Sequence, residues 1–139
     1  MPTLSVWCLR IALGYLGIGF TLGAMMLAAR GLALSSTLIQ LRPLHMELLL
    51  VGWMVQLALA IGYWILPRRA GEGRGNERLA WGSLLLLNAG VLSVGLGSVL
   101  AAPAFVLIAG RTAELLAALG FAAHAWPRVR GYALRSPSL

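Results

Sequence analysis

Apolar residues fill four long stretches of this chain, separated by short polar or proline-marked breaks. The stretches cover residues 4–29, about 43–66, about 79–101 and about 104–126. Each has the roughly 20 residues that a helix needs to cross the hydrocarbon core of a bilayer. The breaks between them have local causes. Proline and paired charge at Pro67-Arg68-Arg69 stop the second stretch. The polar, glycine-rich run Ala70 to Arg78 follows as the one obvious loop, and Pro103 marks a very short turn. The first stretch is longer than the apolar core of a signal peptide, so a retained helix is expected. The tail from Pro127 to Leu139 is expected to fray. The pattern predicts an all-α protein, a single integral membrane domain over 1–139 folded as a four-transmembrane-helix bundle.

Composition points the same way. Hydrophobic residues make up 60% and charged residues 11% of the 139, and the mean hydropathy is +0.85. A soluble domain carries roughly a quarter charged residues, and no part of this chain is left over to build one. The net charge of +7 comes from eleven arginines without a lysine. Arg68, Arg69, Arg74 and Arg78 lie between the second and third stretches, Arg128, Arg130 and Arg135 follow the fourth, and Arg10 begins the first. An even number of spans puts these on one side, leaving Arg30 and Arg42 on the other, so both termini are expected in the cytoplasm. Trp7, Trp64, Trp81 and Trp126 fall at helix ends on that same side, as an interfacial belt would. The basic balance therefore reads as a topology and anionic-lipid signal, not as a nucleic-acid footprint. The arginine bias fits a bacterial inner membrane. Cys8 is the sole cysteine, which excludes an intrachain disulfide, a redox pair and a cysteine zinc site.

Few residues are left for chemistry. His45 opens the second span at its outer end, and on a 3.6-residue helix it shares a face with Gly52, Gln56 and Tyr63. An imidazole with a glycine two turns below leaves room for a flat ligand, and haem is held by axial histidine. Arg42 is placed to pair with a haem propionate. A histidine that merely faces headgroups is the plainer alternative. His124 belongs to the inner end of the fourth span, a membrane thickness of roughly 30 Å from His45. It reads either as a headgroup-facing side chain or as a ligand of a second haem. The second axial position at the level of His45 is then filled by Met25, Met26 or His45 of a second copy, or stays open; a homodimer is expected because one chain lacks an evident second ligand at that depth.

Glu47, Arg111, Glu114, Gln56 and Asn88 fall within the apolar runs, where polar groups face the bundle interior or a cavity. Glu47 points roughly opposite His45, and its pairing with an arginine competes with a proton path. Gly19 and Gly23 stand in a small-xxx-small spacing, as helices packing closely in lipid require. Phosphate loops, Ser/His/Asp constellations and metal clusters at helical spacing do not occur in the sequence.

The run Leu41-Arg42-Pro43-Leu44-His45, with the helix end Gly62-Tyr63-Trp64-Ile65-Leu66-Pro67, resembles the second helix of subunit I in the haem-copper oxidase superfamily. The likeness is to its C-type oxidase and nitric oxide reductase branches. It extends more loosely through the glycine-rich first helix and around Arg78-Leu79-Ala80-Trp81 and Asn88. The resemblance implies that His45 is an axial ligand of a low-spin haem b. The later helices that carry the family's other histidines have no counterpart here, so no copper site and no oxygen reduction are expected. The sequence reading is thus a haem protein for one-electron transfer with a quinol or redox partner protein. Its rival is a cofactor-free accessory or assembly subunit of a larger membrane complex, and a small transporter or proton channel is a third reading.

Overall fold

The computed structural model describes residues 1–32, 36–67 and 74–133. Arg68, Arg69, Arg135 and the first four residues of the Ala70 to Arg78 loop lie outside the described residues. Four helices are long and apolar enough to cross a membrane: Thr3–Gly31, Leu38–Ile65, Glu77–Val99 and Ala104–Val129. They are called the first to fourth helices below. Leu100 to Pro103 form the tight turn between the last two, with Ala101 at a φ of 52°.

Packing follows chain order: the first helix lies along the second, the second against the third, and the third along the fourth. Hydrogen bonds from polar side chains tie the crossings. Ser5 Oγ donates to the Ala60 carbonyl at 2.9 Å, and Gln56 Nε2 donates to the Cys8 carbonyl at 3.2 Å. Tyr15 Oη reaches Asn88 Oδ1 of the third helix at 2.8 Å. One apolar core, Leu4, Cys8, Ala60, Tyr63, Ala80 and Leu84, holds one end of the bundle; Tyr15, Leu48 and Val91 hold its middle.

Glycines set the closest approaches. A Cβ on Gly19 would sit 2.5 Å from Leu49 Cδ2, and one on Gly52 would sit 2.8 Å from Tyr15 Cδ2. The third and fourth helices cross at Gly90 and Gly110, where a Cβ on Gly90 would lie 2.8 Å from the Gly110 carbonyl oxygen. Bare backbone lets helices meet closely enough for dispersion to hold them without a hydrophobic drive.

Two features depart from the sequence reading. The second helix is not uniform: a 3₁₀ segment, Ser36–Leu41, leads into α-helix over Arg42–Glu47, then a π-helical stretch, Leu48–Val55, and α-helix again over Gln56–Ile65. The Gln56 N–H reaches back to the Val51 carbonyl, five residues away. π segments are rare and recur at functional sites. The fourth helix, expected to end at Trp126, continues through Pro127 to Ala133. Proline breaks a helix by a local clash and a lost N–H; here Arg128 anchors the following turn on the second helix.

These contacts predict that Gly52→Leu, which displaces Tyr15 from its notch, destabilises the bundle by about 1–3 kcal/mol in reversible detergent unfolding. Gly14→Leu, where nothing lies within 4 Å, is expected to change stability by less than about 0.5 kcal/mol.

Candidate functional site

His45 stands half-buried in the first turns of the second helix. Its ring lies against the bare backbone of the first helix, where a Cβ on Gly23 would come within 2.8 Å of His45 Cε1. From there Nδ1–H donates to the Gly19 carbonyl at 2.7 Å. In a neutral ring held this way, Nε2 carries the lone pair, because the single N–H is on Nδ1. Beside it opens a cavity of about 340 Å³, walled by His45, Arg42, Arg30, Met26, Ile39 and Met46. Its volume falls at the lower end of the range of small-molecule pockets. Two guanidinium-bearing side chains, two thioethers and an imidazole thus line one opening at one end of the bundle.

Of the candidate cofactor residues, the structure brings His45, Arg42 and Met26 together and adds Arg30. Gly52 and Gln56 do share the His45 face, but that face is covered by the first helix. Tyr15 occupies the notch at Gly52, and Gln56 is fully buried with its amide on Cys8. The flat ligand space expected along that face is therefore absent. Met25 is 43% exposed and does not line the cavity; one residue of helix turns it about 100° from Met26.

His124 needs a larger correction. It is neither headgroup-facing nor open to a metal: only 5% of it is exposed, and it stacks on Tyr63 at 5.3 Å between ring centroids. Nδ1–H donates to the Asn76 carbonyl at 3.1 Å, and Nε2 accepts from Arg128 Nη1 at 3.3 Å. Both nitrogens are engaged, which removes the lone pair an iron would need. Tyr63 lies 18 residues beyond His45 on the second helix, so His124 belongs to the opposite end of the bundle.

Arg128 organises that end, a role the sequence reading missed by assigning it to a basic tail. It is 2% exposed. Its Nε–H donates to the Pro67 carbonyl at 3.0 Å, and Nη2 donates to the carbonyls of Tyr63, at 3.2 Å, and Leu66. Arg74 Nη1 adds a second donor to Tyr63 O at 3.1 Å. The final carbonyls of a helix have no partner within it, and here arginine supplies them while its charge faces the negative end of the helix dipole. The four-residue spacing of His124 and Arg128 was the available signal.

A third polar group joins the second and fourth helices. Arg111 Nη2 donates to Glu47 Oε2 at 2.6 Å, and Nη1 donates to Glu47 Oε1 at 3.1 Å and Glu114 Oε2 at 2.7 Å. Glu47 does point away from His45, and the Arg111–Glu114 pairing read from their spacing is present. Among the described residues, no group of three or more His, Cys, Asp or Glu side chains is arranged to hold a metal ion. No family model, curated protein or solved structure matches the chain.

Arg128→Met keeps the apolar stem and removes the donors to three helix-end carbonyls. The expected loss is about 1–3 kcal/mol in detergent unfolding, with Arg128→Lys recovering only part of it because the planar fork is missing.

Proposed function

We propose that the chain is an integral membrane protein, N and C termini cytoplasmic, that holds one haem b through His45. In this reading it passes single electrons between a membrane donor of the quinol class and a partner at the outer face. The observation that carries the reading is the His45 ring: its Nδ1–H is fixed on the Gly19 carbonyl and its side chain walls a cavity shared with Arg30, Arg42 and Met26. Metal-bound histidines are held in this manner, with the second ring nitrogen oriented by a carbonyl or carboxylate.

The residues present suit the group. When bound, haem supplies a one-electron iron couple tuned by its axial ligands and burial. Gly23 lets the imidazole lie flush on the first helix, and the Gly19 carbonyl fixes its tautomer. Arg30 and Arg42 offer guanidinium to carboxylates at the membrane edge. Met26 lines the same cavity as His45, so one chain could supply both an imidazole and a thioether to the iron without a homodimer. Ile39 and Met46 add apolar wall to the cavity. The likeness to haem-copper oxidase subunit I supports the same assignment.

The accessory-subunit reading stays as the second, favoured by Gly14 and Gly17. Both have nothing within 4 Å of a Cβ position, the kind of small-residue surface on which another membrane helix packs.

Visible spectra of the detergent-purified protein, oxidised and then reduced with dithionite, test the proposal. A sharp reduced α-band is expected in the wild type and its loss in His45→Ala; Met26→Leu is expected to shift the band or open the site to carbon monoxide. A colourless wild type after haem-replete expression overturns the haem reading and leaves the accessory subunit.

A further inference from the structure

A groove between the third and fourth helices has no part in the haem reading. It holds about 490 Å³, with Gly82, Ser83 and Gly120 at its floor and Leu86 and Leu116 along its sides. The floor is low because side chains are missing there. A Cβ on Gly82 would meet nothing within 4 Å, and one on Gly120 would meet Ser83 Oγ at 2.7 Å. Ser83 spends its hydroxyl proton on the Leu79 carbonyl at 3.0 Å, so the floor presents no free hydroxyl donor to an occupant.

One end of this groove is charged. Arg78, in the first turn of the third helix, lines it and is exposed. The ion pairs among the described residues both belong to Arg111. Glu77, one residue earlier, is turned about 100° around the helix and does not line the groove. The N-terminus of the third helix adds the positive end of its dipole beside Arg78. From there Gly82, Leu86 and Ala89 continue the groove along one helix face. Arg78 to Ala89 spans about 16 Å at a rise of about 1.5 Å per residue. That is about half of the roughly 30 Å hydrocarbon core, the depth of one leaflet.

We propose that the groove is a binding site for one phospholipid with an anionic headgroup, whose phosphate region rests on Arg78 while one acyl chain lies along Gly82 to Ala89. Charge and length select that occupant. A basic residue at the membrane edge attracts acidic headgroups, and an acyl chain one leaflet long fills the groove from end to end. A helix from a second copy crosses both leaflets and would meet the groove over only half its length. The proposal rests on the membrane-spanning part of the reading above and is independent of haem.

Native mass spectrometry of the full-length protein tests it, with phosphatidylglycerol and phosphatidylcholine of matched acyl chains added in equal amounts to the detergent. One phosphatidylglycerol retained per chain, in preference to phosphatidylcholine, is expected. Arg78→Gln is expected to weaken its retention about fivefold, the effect of one arginine at a membrane surface. Gly82→Leu, whose Cβ has open space around it, places a side chain in the groove and is expected to abolish retention. Arg10→Gln, which removes a cation of the first helix outside the groove, is expected to leave retention unchanged. Equal retention of the two lipids by the wild type overturns the proposal, as does undiminished retention in Gly82→Leu. A dimer that keeps no lipid and dissociates in Gly82→Leu assigns the groove to a second copy and overturns it as well. The wild-type competition between lipids decides the matter should a variant fail to fold. Extraction of the protein from membranes by alkaline carbonate would instead overturn the membrane-spanning reading itself.

Discussion

The close crossing of the first and second helices is the contact on which the other assignments rest. Four helices this apolar are long enough to cross a membrane, and in lipid such helices would gain nothing from burying apolar surface against each other, so backbone proximity would have to supply the attraction. Gly19 and Gly23 receive Leu49 and His45, while Gly52 receives Tyr15. Each notch places a polar group. His45 reaches the Gly19 carbonyl because Gly23 has no side chain, and Tyr15 extends from the Gly52 notch to Asn88 of the third helix. The same crossing lets Gln56 and Ser5 reach backbone carbonyls on the neighbouring helix.

A second constraint acts at the helix ends. The second helix ends at Ile65, and the carbonyls of Tyr63, Leu66 and Pro67 at that end accept hydrogen bonds from arginine. Arg128 and Arg74 satisfy them, with Arg128 stacked over Tyr63 at 5.3 Å and bonded to His124. The two histidines thus do different work. His124 belongs to a network that closes one end of the bundle, whereas His45 bonds through Nδ1 and, among the described residues, shows no partner on Nε2 beside a cavity at the other.

The ionic cluster at Arg111 follows from the way the second helix divides its faces. His45 is turned to the first helix and Glu47, two residues later, to the fourth. The π-helical stretch begins immediately after Glu47. Neither face carries a sequence mark of that change in repeat.

By itself the sequence determined the number of long helices, the turn at Pro103 and the face shared by His45, Gly52 and Gln56. Span length and hydropathy are sums along the chain, and a helix face follows from 3.6 residues per turn. The pairing of Arg111 with Glu114 was equally legible, being three residues apart on one helix. What each face meets was decided only by tertiary structure. The rotation of each helix about its axis, fixed by where glycines let neighbours approach, put Tyr15 into the space read as a ligand slot. The same rotation turned Met26 rather than Met25 toward His45. Arg128 was hidden for a related reason: proline at 127 predicts a break from local sterics, but hydrogen bonds to a helix more than 60 residues away hold the next turn in place.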